Sequence, residues 1–408
     1  MQENESVKSD IPVYAEYVFQ VFASGVNGVP VLVKNCATAL AQRGARVRIA
    51  CPRGSFIAGY FTEHPTPGIV LCDQDEPYSI SPGALLITWG GWGLPRKLLA
   101  ANPKVLMWCI MGGSLESHVR RMAGRIPGVG QRWEKRVVQR ILSAMRERGG
   151  LAFMDEATQN YYINRFGFSG GESYLPIPLN PPEIDDLEGL PASHSADAPF
   201  TLTWVGRGTD IPMKVIPLVG FINRMILPAG RKIRLDIYTD DAAAYRERFA
   251  RNGCDRRVEI RYFINLFGAE LQRRLRTESD LHLGMGTAVL EGARLGLPAL
   301  CIDPVRVNTR EFFAWSWIFE RKNYNVGDFY AQDNVDTPFD LAFLIDNPEL
   351  QKAYAADSLE YVRNNHSIEA VADKLATWRS EMSLADYCRA HGLFFRAAMF
   401  LAEHLVKY

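Results

Sequence analysis

The sequence predicts an α/β protein built of two successive parallel-sheet halves. Three observations lead there. Short β-branched runs alternate with helix-period segments over most of the 408 residues. The alternation breaks once, at residues 180–199, which are rich in Pro, Ser and acidic side chains and show no period. It then restarts as a second strand–helix series of similar length. A chain of this size is expected to hold roughly two to three domains. Its 47% hydrophobic and 23% charged residues exclude a disordered chain and a coiled coil.

Residues 14–22 read as the first strand, followed by a Gly-rich turn and a helix over 29–43 that Gly44 ends. Further strands are expected at 46–50, 68–72, 84–88, 104–110 and 150–154, with a short one at 173–175 stopped by Pro176. Beyond the aperiodic stretch the pattern gives strands at 200–205, 234–238, 258–262, 280–283 and 299–302. Helices at 215–226, 242–252, 271–277 and 288–295 fall between them. Two Rossmann-like domains follow: residues 1–180, a linker at 181–199, and residues 200–382. From residue 347 the chain reads as helical, with Asn347 as N-cap and Pro348 in the first turn. Ser383 ahead of Asp386 signals another N-cap, opening a final amphipathic helix over 383–408.

Lys plus Arg and Asp plus Glu both number 46, so the whole-chain charge is zero. Charge is unevenly placed, however. Between Glu116 and Arg148 nine cations, Arg120 and Arg121 among them, face three glutamates. Trp133, Val137, Ile141 and Leu142 add an apolar stripe there. Basic and amphipathic together suggest an anionic membrane surface or a phosphate-bearing acceptor; a solvated helix is the plain alternative. No nucleic-acid motif accompanies the charge, so no nucleic-acid partner is expected. Seven cysteines, an odd number without a CxxC, predict reduced thiols and a cytoplasmic protein. The start is polar and acidic, with no signal peptide expected, and the longest apolar runs are strand-sized.

The most informative stretch runs from Ser279 to Asp303. A buried strand enters Gly284-Met-Gly286-Thr287, and a helix begins at once. Gly286 lets a ligand approach the backbone, and the free amides of the first helical turn favour a phosphate. Glu291 lies one turn further along the same face, suited to ribose hydroxyls. A tight turn with a solvated Glu291 is the bland reading of the same residues. The second stretch, Val205-Gly206-Arg207-Gly208 through Lys214, ends the first strand of the second half with a glycine and two cations. Arg207 can fork onto a phosphate and Lys214 can add a point charge. Surface cations are more often merely solvated, so these gain weight from lying in one domain with Gly286 and Glu291.

Val205-Gly206-Arg207, Lys214, and Leu290-Glu291-Gly292-Ala293 running to Gly296-Leu-Pro298 resemble the donor domain of GT-B glycosyltransferases of the group 1 type, family 4. Asp155-Glu156 and Leu175-Pro-Ile-Pro178 also look like that family's segment before the linker. The resemblance implies two domains facing a central cleft, with the C-terminal helix crossing back to the N-terminal domain. It implies that Arg207 and Lys214 hold the donor diphosphate and Glu291 its ribose, and the turn at Gly286 and Thr287 would add its amides to the same diphosphate. Phe263 and Ile264 would lie at the base, with a UDP-sugar favoured over a GDP-sugar. The nucleotide-sugar is then a substrate, no separate cofactor is implied, and the transfer retains anomeric configuration. Two departures stand out. Leu283 occupies the place of the family's first glutamate, and Ile110-Met-Gly-Gly-Ser114 occupies the place of its usual histidine.

The N-terminal half would hold a glycan or lipid-linked acceptor, of the cell-envelope polysaccharide, lipopolysaccharide or capsule type. Gly28 belongs to a Gly-rich loop, Ser24 to Pro30, whose amides could reach the donor phosphate. Trp89 and Trp92 could stack on a sugar or simply fill the core. His118 and Arg120 complete the acceptor candidates. The protein would then work in the cytoplasm, at the inner membrane's cytoplasmic face. No His pair has ligand spacing, and the single Asp73-Gln-Asp75 is poor support for a metal, so no protein-bound metal is expected. Three rival readings remain. A nucleotide-sugar 2-epimerase shares the architecture. An NAD-dependent dehydrogenase would use Gly284-x-Gly286 with Asp303. A degenerate GT-B scaffold would not be an enzyme.

Overall fold

The computed structural model describes residues 13–22, 28–74, 76, 78–89, 98, 101–113, 115, 116, 119, 131–180, 198–303, 306, 307, 310, 311, 314–328 and 337–390. The chain forms two compact units. Unit 1 comprises Met1–Pro178 together with Ile368–Tyr408, and unit 2 is the continuous segment Leu179–Ser367.

Unit 1 carries β1 (Tyr17–Gln20), α1 (Gly28–Gln42), β2 (Val47–Cys51), α2 (Phe56–Glu63), β3 (Ile69–Asp73), β4 (Leu85–Thr88) and β5 (Lys104–Cys109). It continues with α3 (Gln131–Glu147), β6 (Leu151–Phe153) and α4 (Glu156–Phe166). The strands form one parallel sheet in the order β3-β2-β1-β4-β5-β6. β1, β4 and β6 are buried along their whole length, which is why they read as continuous apolar runs. α1 buries Leu32, Val33, Cys36, Ala37 and Leu40 at helical spacing. The run at 173–175 makes a single parallel bridge between Tyr174 and Phe153, too short for a strand before Pro176.

Unit 2 carries β7 (Phe200–Val205), α5 (Ile216–Arg224), β8 (Ile233–Thr239), α6 (Ala243–Asn252), β9 (Glu259–Ile264), α7 (Gly268–Glu278), β10 (Leu281–Gly284), α8 (Thr287–Arg294) and β11 (Ala299–Asp303). A two-residue ladder, β12 (Arg306–Val307) with β13 (Arg310–Glu311), precedes β14 (Ala314–Trp317). The main sheet runs β14-β11-β10-β7-β8-β9, with β14 antiparallel at one edge. Helices α9 (Leu341–Ile345) and α10 (Pro348–His366) close the unit. Pro348 occupies the first turn as expected, but Asn347 makes no side-chain cap.

The chain returns to unit 1 at Ile368, fifteen residues before the expected final helix. Helix α11 (Ile368–Thr377) packs Val371 and Leu375 into the core beside α1. Helix α12 (Leu384–Ala390) follows, and Ser383 caps it through a bond from the Asp386 amide at 3.1 Å. Residues 391–408 of the expected final helix lie outside the described residues. None of the seven cysteines is in a disulfide.

Candidate functional site

In each sheet the chain builds outward on one side of its first strand and then resumes on the other. In unit 2 that reversal falls between β7 and β10, which pair directly. Open α/β sheets leave a crevice at the carboxyl end of such a pair. The loops leaving β7 and β10 line it, and they hold Arg207, Lys214, Gly286 and Thr287.

The β7 loop is held by hydrogen bonds. The Trp204 indole N–H donates to Tyr245 Oη at 2.9 Å, and that hydroxyl donates to the Arg207 carbonyl at 3.5 Å. The Gly208 amide donates to Asp240 at 2.7 Å. A Cβ on Gly208 would lie 1.7 Å from the Asp241 carbonyl oxygen, so only glycine allows this approach. The Arg207 side chain is exposed. Lys214 sits in a π-type turn, Ile211–Val215, ahead of α5, a form of wide turn frequent at functional sites. Its Nζ donates to the Met285 carbonyl at 3.3 Å, which brings the second cation to the β10 loop. Burial lowers the Lys214 pKa to about 8; Asp210 opposes the shift and the Arg207 charge adds to it.

At the β10 loop Gly286 has φ 62° and ψ −142°, a backbone conformation that side chains exclude. Its amide donates to the Val326 carbonyl at 2.6 Å. Having no side chain, it caps nothing, and the first-turn amides of α8 remain for a ligand. Glu291 lies one turn on from Thr287, its side chain 34% exposed, and takes the Arg294 guanidinium at 2.6 Å. Arg294 also donates to the Asn180 carbonyl at 3.2 Å. The structure thus brings Lys214, the Gly284–Gly286 loop and the start of α8 together, with the Arg207 charge near Lys214.

Other expectations fare differently. Phe263 is committed to a stack on Tyr238, ring centroids 4.8 Å apart, with the Arg261 and Arg274 guanidiniums also on it. Ile264 is the exposed member of that pair. Trp89 is no open stacking face. Its side chain is buried, its indole N–H donates to the Gln20 carbonyl at 2.6 Å, and it packs on Trp108. Gly28 opens α1 in unit 1 and is exposed. Trp92, His118 and Arg120, with residues 24–27 of the Gly-rich loop, lie outside the described residues. The apolar stripe of α3 is also spent: Val137, Ile141 and Leu142 are core, which leaves Arg132, Lys135 and Arg136 exposed on the outer face. Asp303, which a dehydrogenase would turn to a ribose, is buried in an ion pair with Arg321 at 2.5 Å and accepts from the Asp328 amide. Asp73 pairs with Arg53, and Asp75 lies outside the described residues.

Sequence reasoning missed the supporting groups: Asp240, Tyr245, Val326 and His282. Only His282 left a signal, as a polar residue inside an otherwise apolar strand. Among the described residues no three His, Cys, Asp or Glu side chains gather as metal ligands, and no helix is long and apolar enough to cross a membrane.

No family model matches the chain. Nor does any curated protein. Solved structures do. A glycosyltransferase from Rickettsia africae ESF-5 aligns over 93% of this chain and all of its own, with a TM-score of 0.53 at 12% identity. Anabaena HepE, solved with UDP and glucose, covers 88% of this chain and 98% of its own (TM-score 0.48, 11% identity). WaaG, a glycosyltransferase involved in lipopolysaccharide biosynthesis, covers the same shares at TM-score 0.47 and 12% identity. Two six-stranded, mostly parallel sheets and the match to the Rickettsia enzyme give this chain the GT-B fold.

Proposed function

We propose that the protein is a glycosyltransferase that moves a sugar from a nucleoside-diphosphate sugar, a UDP-sugar by preference, to a glycan or glycolipid acceptor. One observation carries the reading: the Lys214 ammonium meets the Met285 carbonyl beside the uncapped start of α8. Charge grows on the diphosphate as the sugar–phosphate bond breaks. Lys214 and the amides of α8 are donors for that charge already in place before the reaction starts, and the exposed Arg207 adds a second positive charge nearby. Glu291 would hold the ribose. In this reading the acceptor binds unit 1, the transfer retains configuration, and no resident metal takes part. The buried Asp303 speaks against the dehydrogenase.

A nucleotide that binds the folded protein raises its melting temperature by mass action. Screened against UDP, GDP, CMP and NAD, the protein should be stabilised by UDP, and Arg207→Ala should lose that shift. Stabilisation by NAD alone would defeat the assignment. The proposal also places the outer face of α3 on anionic lipid, each cation contributing about 1 kcal/mol. Reversing Arg132, Lys135 and Arg136 to Glu should therefore release the protein from phosphatidylglycerol vesicles. Unchanged binding would remove the membrane from this account.

A further inference from the structure

We propose that His282 is a positioning residue for the diphosphate cradle, fixing the first turn of α8 from beneath. The inference rests on the reading of that turn as the phosphate site. His282 lies within β10, fully buried, directly paired in register with Thr203 of β7. Its Nε2 is 2.9 Å from the Ala288 carbonyl oxygen, and a carbonyl only accepts, so Nε2 carries the proton. Nδ1 is then an acceptor, 2.9 Å from Thr203 Oγ1, and the Thr203 hydroxyl must donate to it. That leaves Thr203 Oγ1 to accept from the Ser279 hydroxyl at 2.7 Å. The relay therefore has one direction, from Ser279 through Thr203 and His282 to Ala288, and every member is buried or held in the turn.

Ala288 is the second residue of α8, so its carbonyl belongs to the peptide that carries the Val289 amide, one of the uncapped donors. A Cβ on Gly284 would meet that Val289 nitrogen at 2.7 Å, so the strand end presses on the same peptide. A Cβ on Gly292 would lie 2.3 Å from the imidazole, so the ring is seated flush against the helix one turn later. Gly292 adjoins Glu291. The imidazole thus sets the rotation of α8 about its axis, and with it both the amides and the ribose carboxylate. Both ring nitrogens are engaged and the side chain is closed to solvent, so it acts through the helix and never touches substrate.

Whichever of UDP and GDP the unaltered protein binds should bind about tenfold more weakly to Thr203→Val and to His282→Asn, in line with losses from supporting residues elsewhere. The matching nucleoside, which lacks the diphosphate, should lose far less. Gly292→Ala should weaken diphosphate binding beside the imidazole, and adding His282→Ala should restore part of it, as expected of residues in contact. The split between diphosphate and nucleoside is the readout that a merely structural role would not move. Melting temperatures establish which variants fold; Thr203→Val decides if the His282 variants do not. Unchanged diphosphate affinity in a folded variant, or equal losses for diphosphate and nucleoside, would overturn the inference. Failure of the unaltered protein to bind either diphosphate would overturn the phosphate reading itself.

Discussion

The two sheets share six strands and the same reversal beside their first strand, yet their carboxyl edges are furnished differently. In unit 2 the edge is polar and fastened: Lys214 to Met285, Gly208 to Asp240, Gly286 to Val326. In unit 1 the described part of the edge is mixed: Arg53 pairs with Asp73 and Glu76 after β2 and β3, whereas the residues that follow β1, β4 and β5 are apolar. Phe22 after β1 is 41% exposed, Met111 after β5 is 61% exposed, and Trp89 between them is core. A charged ligand needs donors whose positions are paid for in advance by hydrogen bonds. A ring or an acyl surface needs only shape and area. The two edges therefore offer a ligand different things: hydrogen-bonded polar loops in unit 2, and exposed apolar side chains beside an ion-paired cluster in unit 1.

The comparison can be broken most forcefully at Trp89. Trp89→Ala should destabilise the protein by about 3–5 kcal/mol, as large aromatic deletions in cores do, and denaturant titration would measure it. Nucleotide affinity, read by calorimetry on the folded fraction, should stay the same. A collapse of that affinity in the folded fraction would give Trp89 a part in nucleotide binding.

Lys214→Met should lower diphosphate affinity by about 10- to 100-fold, the range for a charged hydrogen bond worth roughly 1.5–3 kcal/mol. The pH dependence sharpens this. The free protein loses the Lys214 proton near pH 8, whereas a bound diphosphate holds it. Affinity should therefore fall as pH rises above about 8, with proton uptake on binding. Stability should move the other way. An unfolded lysine keeps its proton to about pH 10.4, so between about 8 and that pH the unfolded chain binds more protons and Lys214 makes stability rise. Lys214→Arg should flatten both slopes. A flat affinity profile in the unaltered protein would remove Lys214 from the diphosphate.

The smallest of the three effects belongs to Glu291. Glu291→Gln should cost about tenfold in affinity for a ribonucleotide, a hydrogen bond to a charged group weakened to a neutral one, and almost nothing for the 2′,3′-dideoxy analogue. Equal losses for both would mean that Glu291 serves Arg294 and not a ribose.

Most of the sheet was legible because buried parallel strands read as unbroken apolar runs, as β4 and β5 do. Helices α2 and α4 were not anticipated, although Ser55 and Asp155 cap them and Gly167 ends the second. The eight residues of α2 carry few turns for a period to stand out, and α4 buries the polar Thr158 and Gln159, so its inner face does not read as apolar. The candidate site was legible where spacing alone brings groups together, as with Gly286, Thr287 and Glu291 over the start of α8. It was hidden where strand register does so: His282 meets Thr203 across 79 positions, and Val326 meets Gly286 across a connection that includes an antiparallel strand. The apolar stripe at 133–142 is legible and reads, with the cations, as a surface for lipid or a phosphate-bearing acceptor, whereas Val137, Ile141 and Leu142 fill the core, since one sequence does not say which surface an amphipathic helix covers.

The route of the chain sets a timetable for synthesis. Unit 1 borrows its last pieces from the far end: Val105 donates to Met382, Tyr17 to Ala376, Trp378 to Gly149, and Leu375 fills the core. Roughly 200 residues separate the first share from the second, about 10–40 s of elongation at 5–20 residues per second. Through that interval unit 2, one continuous segment, can fold on the ribosome while the earlier sheet waits with an open core. Chaperone capture and aggregation should therefore act on the first-made half, and a chain truncated before Ile368 should leave a soluble second unit attached to an unfinished first.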